Sequence, residues 1–452
     1  HWLTASSFLA YGGSLRVVRA DDTSLTNGRV GSATSIKIKS LDHYEELGYD
    51  ENTITDVVVA ARNPGSWGNG LRLGMIDAKA DQILGINTTN AVVGRGVTQA
   101  VPADTVIAGA GTTSVLDGYF KGIITEVGEG EIEVKILTHV SAGGTFTDIE
   151  YQPGGVYKFS TTGNLGFHTT GGSAGVATTV ISTKDWFDQQ ELTLTSSTTI
   201  KWNQIADRPG TSEYASARGS KNDEVHVVVV DGDGAVTGNS GTVLEKHLSL
   251  SKAKDAEFSL GSPQYWRKFL LNGSEYIFGG SQPADAVATG FTTSTTYTPA
   301  SDNSWDQNAE GITFAAKGNV NEQFSAGTDY NGKTGIGQTG SLQSGLDGLV
   351  TGYGLFENTE QYDVDFILMG SAGYRKEEAQ ALANKCIAVA EARQDAIAFV
   401  SPYRGAAIND LTGTTDYDNQ KEVTIKDANT ITNNVVSFYS PVTSSSYAVF
   451  DS

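Results

Sequence analysis

Residues able to do chemistry are numerous in this chain but poorly assembled. The six histidines, His1, His43, His139, His168, His226 and His247, include no pair with metal-ligand spacing such as H-E-x-x-H. His226 lies in the alternating run Val225–Val230, where a packed or surface imidazole is expected rather than a base. Cys386, the one cysteine, falls on the apolar side of a predicted helix and reads as a small core residue, not a nucleophile. Asp231-Gly232-Asp233, with Thr237 and Asn239, opens like a calcium loop. Its twelfth position, where a bidentate glutamate is needed, is Thr242, so a plain hairpin turn is expected. Gly370-Ser371-Ala372-Gly373 stands between a strand and a helix, where a phosphate loop would sit. It lacks the third glycine of a dinucleotide loop and any Gly-Lys-Ser/Thr, and reads as a tight turn. The carboxylates show no distinctive pairing, and Trp202 and Trp266 read as core or domain-contact residues rather than a sugar platform. The sequence thus predicts no catalytic residue, no metal site and no cofactor: the chain is expected not to be an enzyme.

The elements that would position such groups give a mixed pattern. Residues 1–11 read as the end of a helix stopped by Gly12-Gly13, and Ser14–Ala20 as a strand. A short helix near Leu41, capped by Asp42, precedes a buried-type strand at 56–61, a turn at Asn63-Pro64-Gly65 and a strand at 71–76. From 86 to 200 the chain turns rich in Gly, Thr, Ser and Val, and Ile132, Val134 and Ile136 share one face of an alternating strand. This stretch is expected to be a small inserted β-domain. Val225–Val230 and residues 242–250 predict a hairpin around Asp231–Gly234. Residues 281–345 are polar and poorly periodic. Beyond them, Val364–Met369, a helix from Arg375 to Arg393 and Ala396–Val400 form a βαβ unit, which predicts two parallel strands in a covered sheet.

Length and charge bound the whole. With 452 residues the chain exceeds one hydrophobic core, so two or three domains are expected. The fold class predicted is multidomain α+β: an α/β sandwich-like central domain from 1–20 plus 281–452, a middle α+β domain from 21–85 plus 201–280, and the β-rich outer insert 86–200. Against 31 Lys+Arg stand 52 Asp+Glu, a net charge of −21. Such acidity disfavours nucleic acid and anionic membrane as partners and makes identical copies repel one another. A lone cysteine rules out an intrachain disulfide and fits folding in a reducing cytoplasm. No apolar run approaches membrane-spanning length. The start at His1, already inside an amphipathic pattern, suggests a fragment, expected to be monomeric on its own.

Several segments, in order, resemble the contractile tail sheath proteins of T-even-type myoviruses. They are Ser7–Asp21 (SFLAYGGSLRVVRAD), the turn Asn63-Pro64-Gly65-Ser66-Trp67-Gly68-Asn69-Gly70-Leu71, Leu248–Lys254 with Asn272–Phe278, Glu391–Asp395 through Ser401–Arg404, and Ser445–Asp451. The resemblance touches most of the chain except 86–200 and 281–345. It implies a structural subunit that polymerises as a helical sleeve around a tail tube, meets tube and baseplate proteins, and contracts to deliver a genome. It implies a location in the virion tail after assembly in a bacterial host's cytoplasm, with arms that add strands to a neighbour's sheet edge. Family members carry an N-terminal arm, which would precede His1, and a C-terminal domain, which would follow Ser452. Other classes remain open from the residues alone: a phage surface adhesin displaying the 86–200 domain, or a carbohydrate-active β-rich tail protein.

Overall fold

The computed structural model describes residues 2–10, 13–18, 24–109, 112–168, 174–293, 297–301, 304–329, 346–370, 376–408 and 424–451. The fold is mixed α and β, with several sheets. Two compact units emerge, Thr26–Thr328 and a discontinuous one from His1–Leu25 with Asp329–Ser452. Residues 281–328, expected with the C-terminal part, therefore belong to the larger unit. The reason is Val320–Gln323, which pairs antiparallel with Leu71–Asp77.

At the centre of the larger unit is a four-stranded antiparallel sheet ordered Thr242–Ser251, Glu224–Asp231, Leu71–Asp77, Val320–Gln323. The β-branched run Val225–Val230 is buried on both faces. Leu73, Met75, Val227 and Val229 face Tyr265, Trp266 and Leu270, while Ile76, Val228 and Val230 face Trp186, Phe187, Leu192 and Trp202. Gly74 makes the second face possible, since a Cβ there would stand 2.0 Å from Leu192 Cδ1. The expected hairpin forms, and its loop is organised by Asp231. That buried carboxylate accepts hydrogen bonds from the N–H groups of Gly234, Val236 and Thr237 and from the Thr237 hydroxyl.

The Asn63–Leu71 turn is a packing knot. Gly65 has φ +133°, open to glycine. Gly68 lies against Gly28, where a Cβ on residue 28 would meet the Gly68 carbonyl carbon at 2.7 Å. The Asn69 side chain accepts from Gly327 N–H at 2.7 Å and donates to its carbonyl at 2.8 Å. Just upstream, the short helix Leu41–Glu46 is capped by Ser40, whose hydroxyl accepts from His43 N–H, and not by Asp42. Asp42 sits in the first turn, where it complements the helix dipole.

Residues 82–185 build an eight-stranded antiparallel sheet. Its entry and exit strands, Gln82–Gly85 and Ser182–Asp185, pair with each other, with Gln82 opposite Asp185. Residues 186–200, grouped with this insert on composition, instead cover the central sheet through Trp186, Phe187 and Leu192, beside Trp202. Ion pairs tie the insert's root: Lys135 to Asp81 at 3.0 Å and Lys221 to Asp148 at 2.7 Å, with Arg208 on Asp185.

The smaller unit holds a three-stranded parallel sheet, Phe366–Leu368, Ile397–Val400 and Ala448–Phe450, in that order. The helix Lys376–Arg393 connects the first two strands, and Ala428–Tyr439 lies between the second and third. The predicted βαβ unit is present. Asp427 caps the second helix, accepting from Thr430 N–H. The expected strand Ser14–Ala20 does not form over its described part: residues 13–18 have no regular structure and pair with nothing. Gly12, Arg19 and Ala20, the Ser371-Ala372-Gly373 turn and residues 330–345 lie outside the described residues. Among the described residues no helix is long and apolar enough to cross a membrane.

Candidate assembly interface

Among the described residues, both connecting helices of the smaller unit cover the same face of its sheet. Ile367, Met369, Ala398 and Val400 pack on Leu382, Ala383, Cys386 and Ile387 of the first connecting helix and on Phe438 of the second. Pleating sends the alternate residues to the other side. There Phe366 is 47% exposed, Ile397 39%, Phe399 37% and Val449 46%. The register sets Phe366 opposite Ile397, and Phe399 opposite Val449, so these side chains form one continuous apolar strip. Phe366 meets Phe399 edge-on, ring centres 5.8 Å apart, and Phe8 of the helix Trp2–Leu9 touches its other side at 6.4 Å. This corrects the expectation of a sheet covered on both faces. Both connections put their helices on the same side, and the apolar runs that suggested full burial leave alternate residues partly exposed.

The edge of this sheet is also open. Ile397 N–H donates to the Asp365 carbonyl and Met369 N–H to the Phe399 carbonyl. In a parallel ladder that spacing turns the backbone groups of Phe366 and Leu368 away from the neighbouring strand. The Leu368 carbonyl accepts from the Tyr353 hydroxyl at 2.8 Å. Among the described residues, nothing pairs with Phe366 N–H or C=O. A groove of about 520 Å³ runs along this edge, floored by Asp363–Leu368 and walled by Phe8, Leu15, Val17, Leu349 and Tyr353.

The groove's walls are fixed from behind. Arg393 ends the first connecting helix and is buried. It grips Asp395 with two bonds, at 2.9 and 3.0 Å, and donates to the carbonyls of Phe356 and Tyr362. The next residue, Gln394, takes a left-handed φ of +63° to end the helix. The Tyr439 hydroxyl donates to the Val400 carbonyl at 3.0 Å, bracing the opposite side. Cys386 lies in this core with its thiol pushed up to about 12 by burial, which leaves it protonated and unreactive.

Among the described residues, the histidines weighed for catalysis lie apart from one another, each with its own local partner. His226 donates from Nε2 to the Asp207 carbonyl at 2.8 Å and accepts at Nδ1 from Ser249 N–H at 2.9 Å. Burial holds its pKa below the usual histidine range, so it is a neutral imidazole with both nitrogens engaged. His139 meets the Asp117 carbonyl, His168 the Thr98 hydroxyl and His247 the Glu245 carboxylate. Trp202 and Trp266 are fully buried. Among the described residues no three His, Cys, Asp or Glu side chains are grouped to hold a metal ion.

One polar cluster was not visible in the sequence. Lys252 is wholly buried, and its ammonium has three partners: Asp77 Oδ2 at 2.9 Å, the Asn222 carbonyl at 3.0 Å and the Ala315 carbonyl at 2.9 Å. Burial lowers its pKa, opposed by Asp77. With every N–H satisfied, this lysine ties together segments distant in sequence and has no lone pair for chemistry. Only the polar break Ser251-Lys252 at the end of an apolar strand hinted at it.

No family model matches the chain, and no relative was found among the curated proteins.

Proposed function

We propose that this chain is a structural subunit of a contractile tail sheath, polymerising as a helical sleeve around a tail tube in a virion tail, and not an enzyme. The observation that carries this reading is the open edge of the Phe366–Leu368 strand, lying in an apolar groove beside a bare sheet face. An extended segment of a neighbouring copy adds there as a further strand. Backbone bonds to Phe366 supply the affinity and the groove takes alternate side chains. Because the edge and the added segment are different surfaces, the contact is heterologous and propagates instead of closing on a pair. This also meets the resemblance carried by Ser7–Asp21 and Asn63–Leu71, which implies strand exchange between neighbours. Tail tube and baseplate proteins are the further partners, and no cofactor takes part.

Electron microscopy of the full-length gene product tests the reading, with a striated sleeve or polysheath expected. Phe366→Pro removes the outward N–H without costing a bond within the sheet. It should leave the subunit folded and abolish the sleeve. Unaltered polymers from that variant would overturn the edge mechanism, and a full-length protein that never polymerises would overturn the function.

A further inference from the structure

The larger unit carries an apolar projection that its own fold does not use. Glu257–Ser259 and Ser262–Pro263 form a small hairpin, turned by Gly261 at φ +82°. Leu260 at its tip is 99% exposed and Phe258 is also exposed, its ring meeting Phe269 edge-on at 6.0 Å. An isolated surface leucine is ordinary, but two large apolar side chains raised together on a hairpin tip mark a contact site.

We propose that this tip docks on the bare face of the parallel sheet, Phe366, Ile397, Phe399 and Val449, of a second copy of the chain. The inference extends the sheath reading above by naming a body-to-body contact besides strand addition. Two features select a second copy as the occupant. The first is charge. The chain has a net charge of −21, so most of its surface repels a copy of itself, yet residues 258–263 bear no charge. Lys268 is exposed one residue before Phe269, while exposed Asp363 and Asp365 line the edge groove just before Phe366. None of these three makes an ion pair among the described residues. The second is asymmetry. Tip and face are different surfaces, so each copy offers both halves of the contact and the contact can repeat along a polymer. The bare face continues into the open-edge groove through Phe366, so a docked tip would close over the added strand.

Cysteine cross-linking between two separately made variants tests this. Leu260→Cys is mixed with Phe399→Cys under mild oxidation, with buried Cys386 silent as the only other thiol. The expected result is a disulfide-linked heterodimer in the mixture that neither variant gives alone. Lys268→Glu in the first chain should weaken it, and Asp365→Lys in the second should restore it. A Leu260→Cys homodimer of equal yield would show tip-to-tip contact and overturn the proposal, as would no cross-link under conditions where the full-length protein polymerises. A heterodimer without any sleeve would sustain this contact and count against the sheath function instead.

Discussion

Removing the eight-stranded insert should leave a folded protein only if the cut is made at its root. Gln82 and Asp185 face each other across the entry and exit strands, and Trp186 N–H donates to the Asp81 carbonyl at 3.0 Å. Joining Asp81 to Trp186 through a two-residue Asn-Gly turn therefore needs little movement. Deletion of 86–200, the span suggested by composition, also takes away Trp186, Phe187 and Leu192, all buried against the central sheet. Truncating a buried Trp or Phe costs about 3–5 kcal/mol and a Leu about 2–5 kcal/mol, so losing all three removes roughly 8–15 kcal/mol. That equals the whole stability of an ordinary domain, about 5–15 kcal/mol. The 82–185 deletion spares this layer, and the ion-pair partners it strands, Lys79, Asp81, Arg208 and Lys221, become open to water. In guanidinium melts followed by circular dichroism, the 82–185 deletion should show one cooperative transition and the 86–200 deletion none. Equal stability of the two would refute the assignment of Trp186–Trp202 to the central sheet.

Other consequences are smaller in scale. Lys252→Met should cost about 3–5 kcal/mol by leaving Asp77 buried without its cation, and Asp77→Asn in the same chain should recover part of it, because the buried charge is gone while the one amide oxygen still accepts from Lys317 N–H or Gly318 N–H; chemical denaturation of the single and double variants measures both. His226 is held neutral, so the unfolded chain binds its proton first as pH falls below about 6.5, the ordinary histidine value. Stability should therefore decline from pH 7.5 to 5.5 more steeply in the native chain than in His226→Gln, by at most about 1.4 kcal/mol per pH unit; parallel slopes in urea melts would refute this. Gly28→Ala drives a Cβ into the Gly68 backbone and should destabilise by about 1–3 kcal/mol or more, read as a lowered melting temperature.

The βαβ unit was legible because each part carries a local signal: a continuous apolar strand, a helix with Ala379, Leu382, Ala383, Cys386 and Ile387 on one face, and a second apolar strand. The bare face was not. Phe366, Ile397 and Phe399 are as apolar as the buried Ile367 and Ala398, and a sequence does not say on which side both helices will land. The same limit hid Val320–Gln323, a polar edge strand whose partner lies far back at Leu71–Asp77. Composition misplaced the end of the insert because Gly, Thr and Ser continue to residue 200 while the packing changes at Trp186. Ser14–Val18 has strand-like residues but no partner among the described residues, and β propensity without pairing builds nothing. As for the candidate site, its strands could be read from the chain, but its openness is a property of packing.

The polar ties in the larger unit bear on how a sheath subunit would carry load. Trp202 Nε1 donates to Asn319, Asn69 clasps Gly327, Arg267 donates to the Tyr49 carbonyl, and Lys252 joins Asp77 to Asn222 and Ala315. Each link spans a long stretch of sequence and is buried or partly so. Pulling such segments apart exposes unpaired polar groups before any apolar surface is traded, which opposes gradual deformation. Sliding an apolar strip of exposed side chains over a partner's surface carries no such penalty, since hydrophobic contact is non-directional. A body held by directional bonds inside and joined to its neighbours by an apolar face and an added strand would change its contacts before its fold. Under the proposed function, contraction should then preserve the interior and rearrange the surfaces around Phe366, Phe399 and Leu260. Hydrogen exchange on extended and contracted sleeves would show it: the amides of Val225–Val230 should stay protected in both states, and those of Phe366–Leu368 should differ between them.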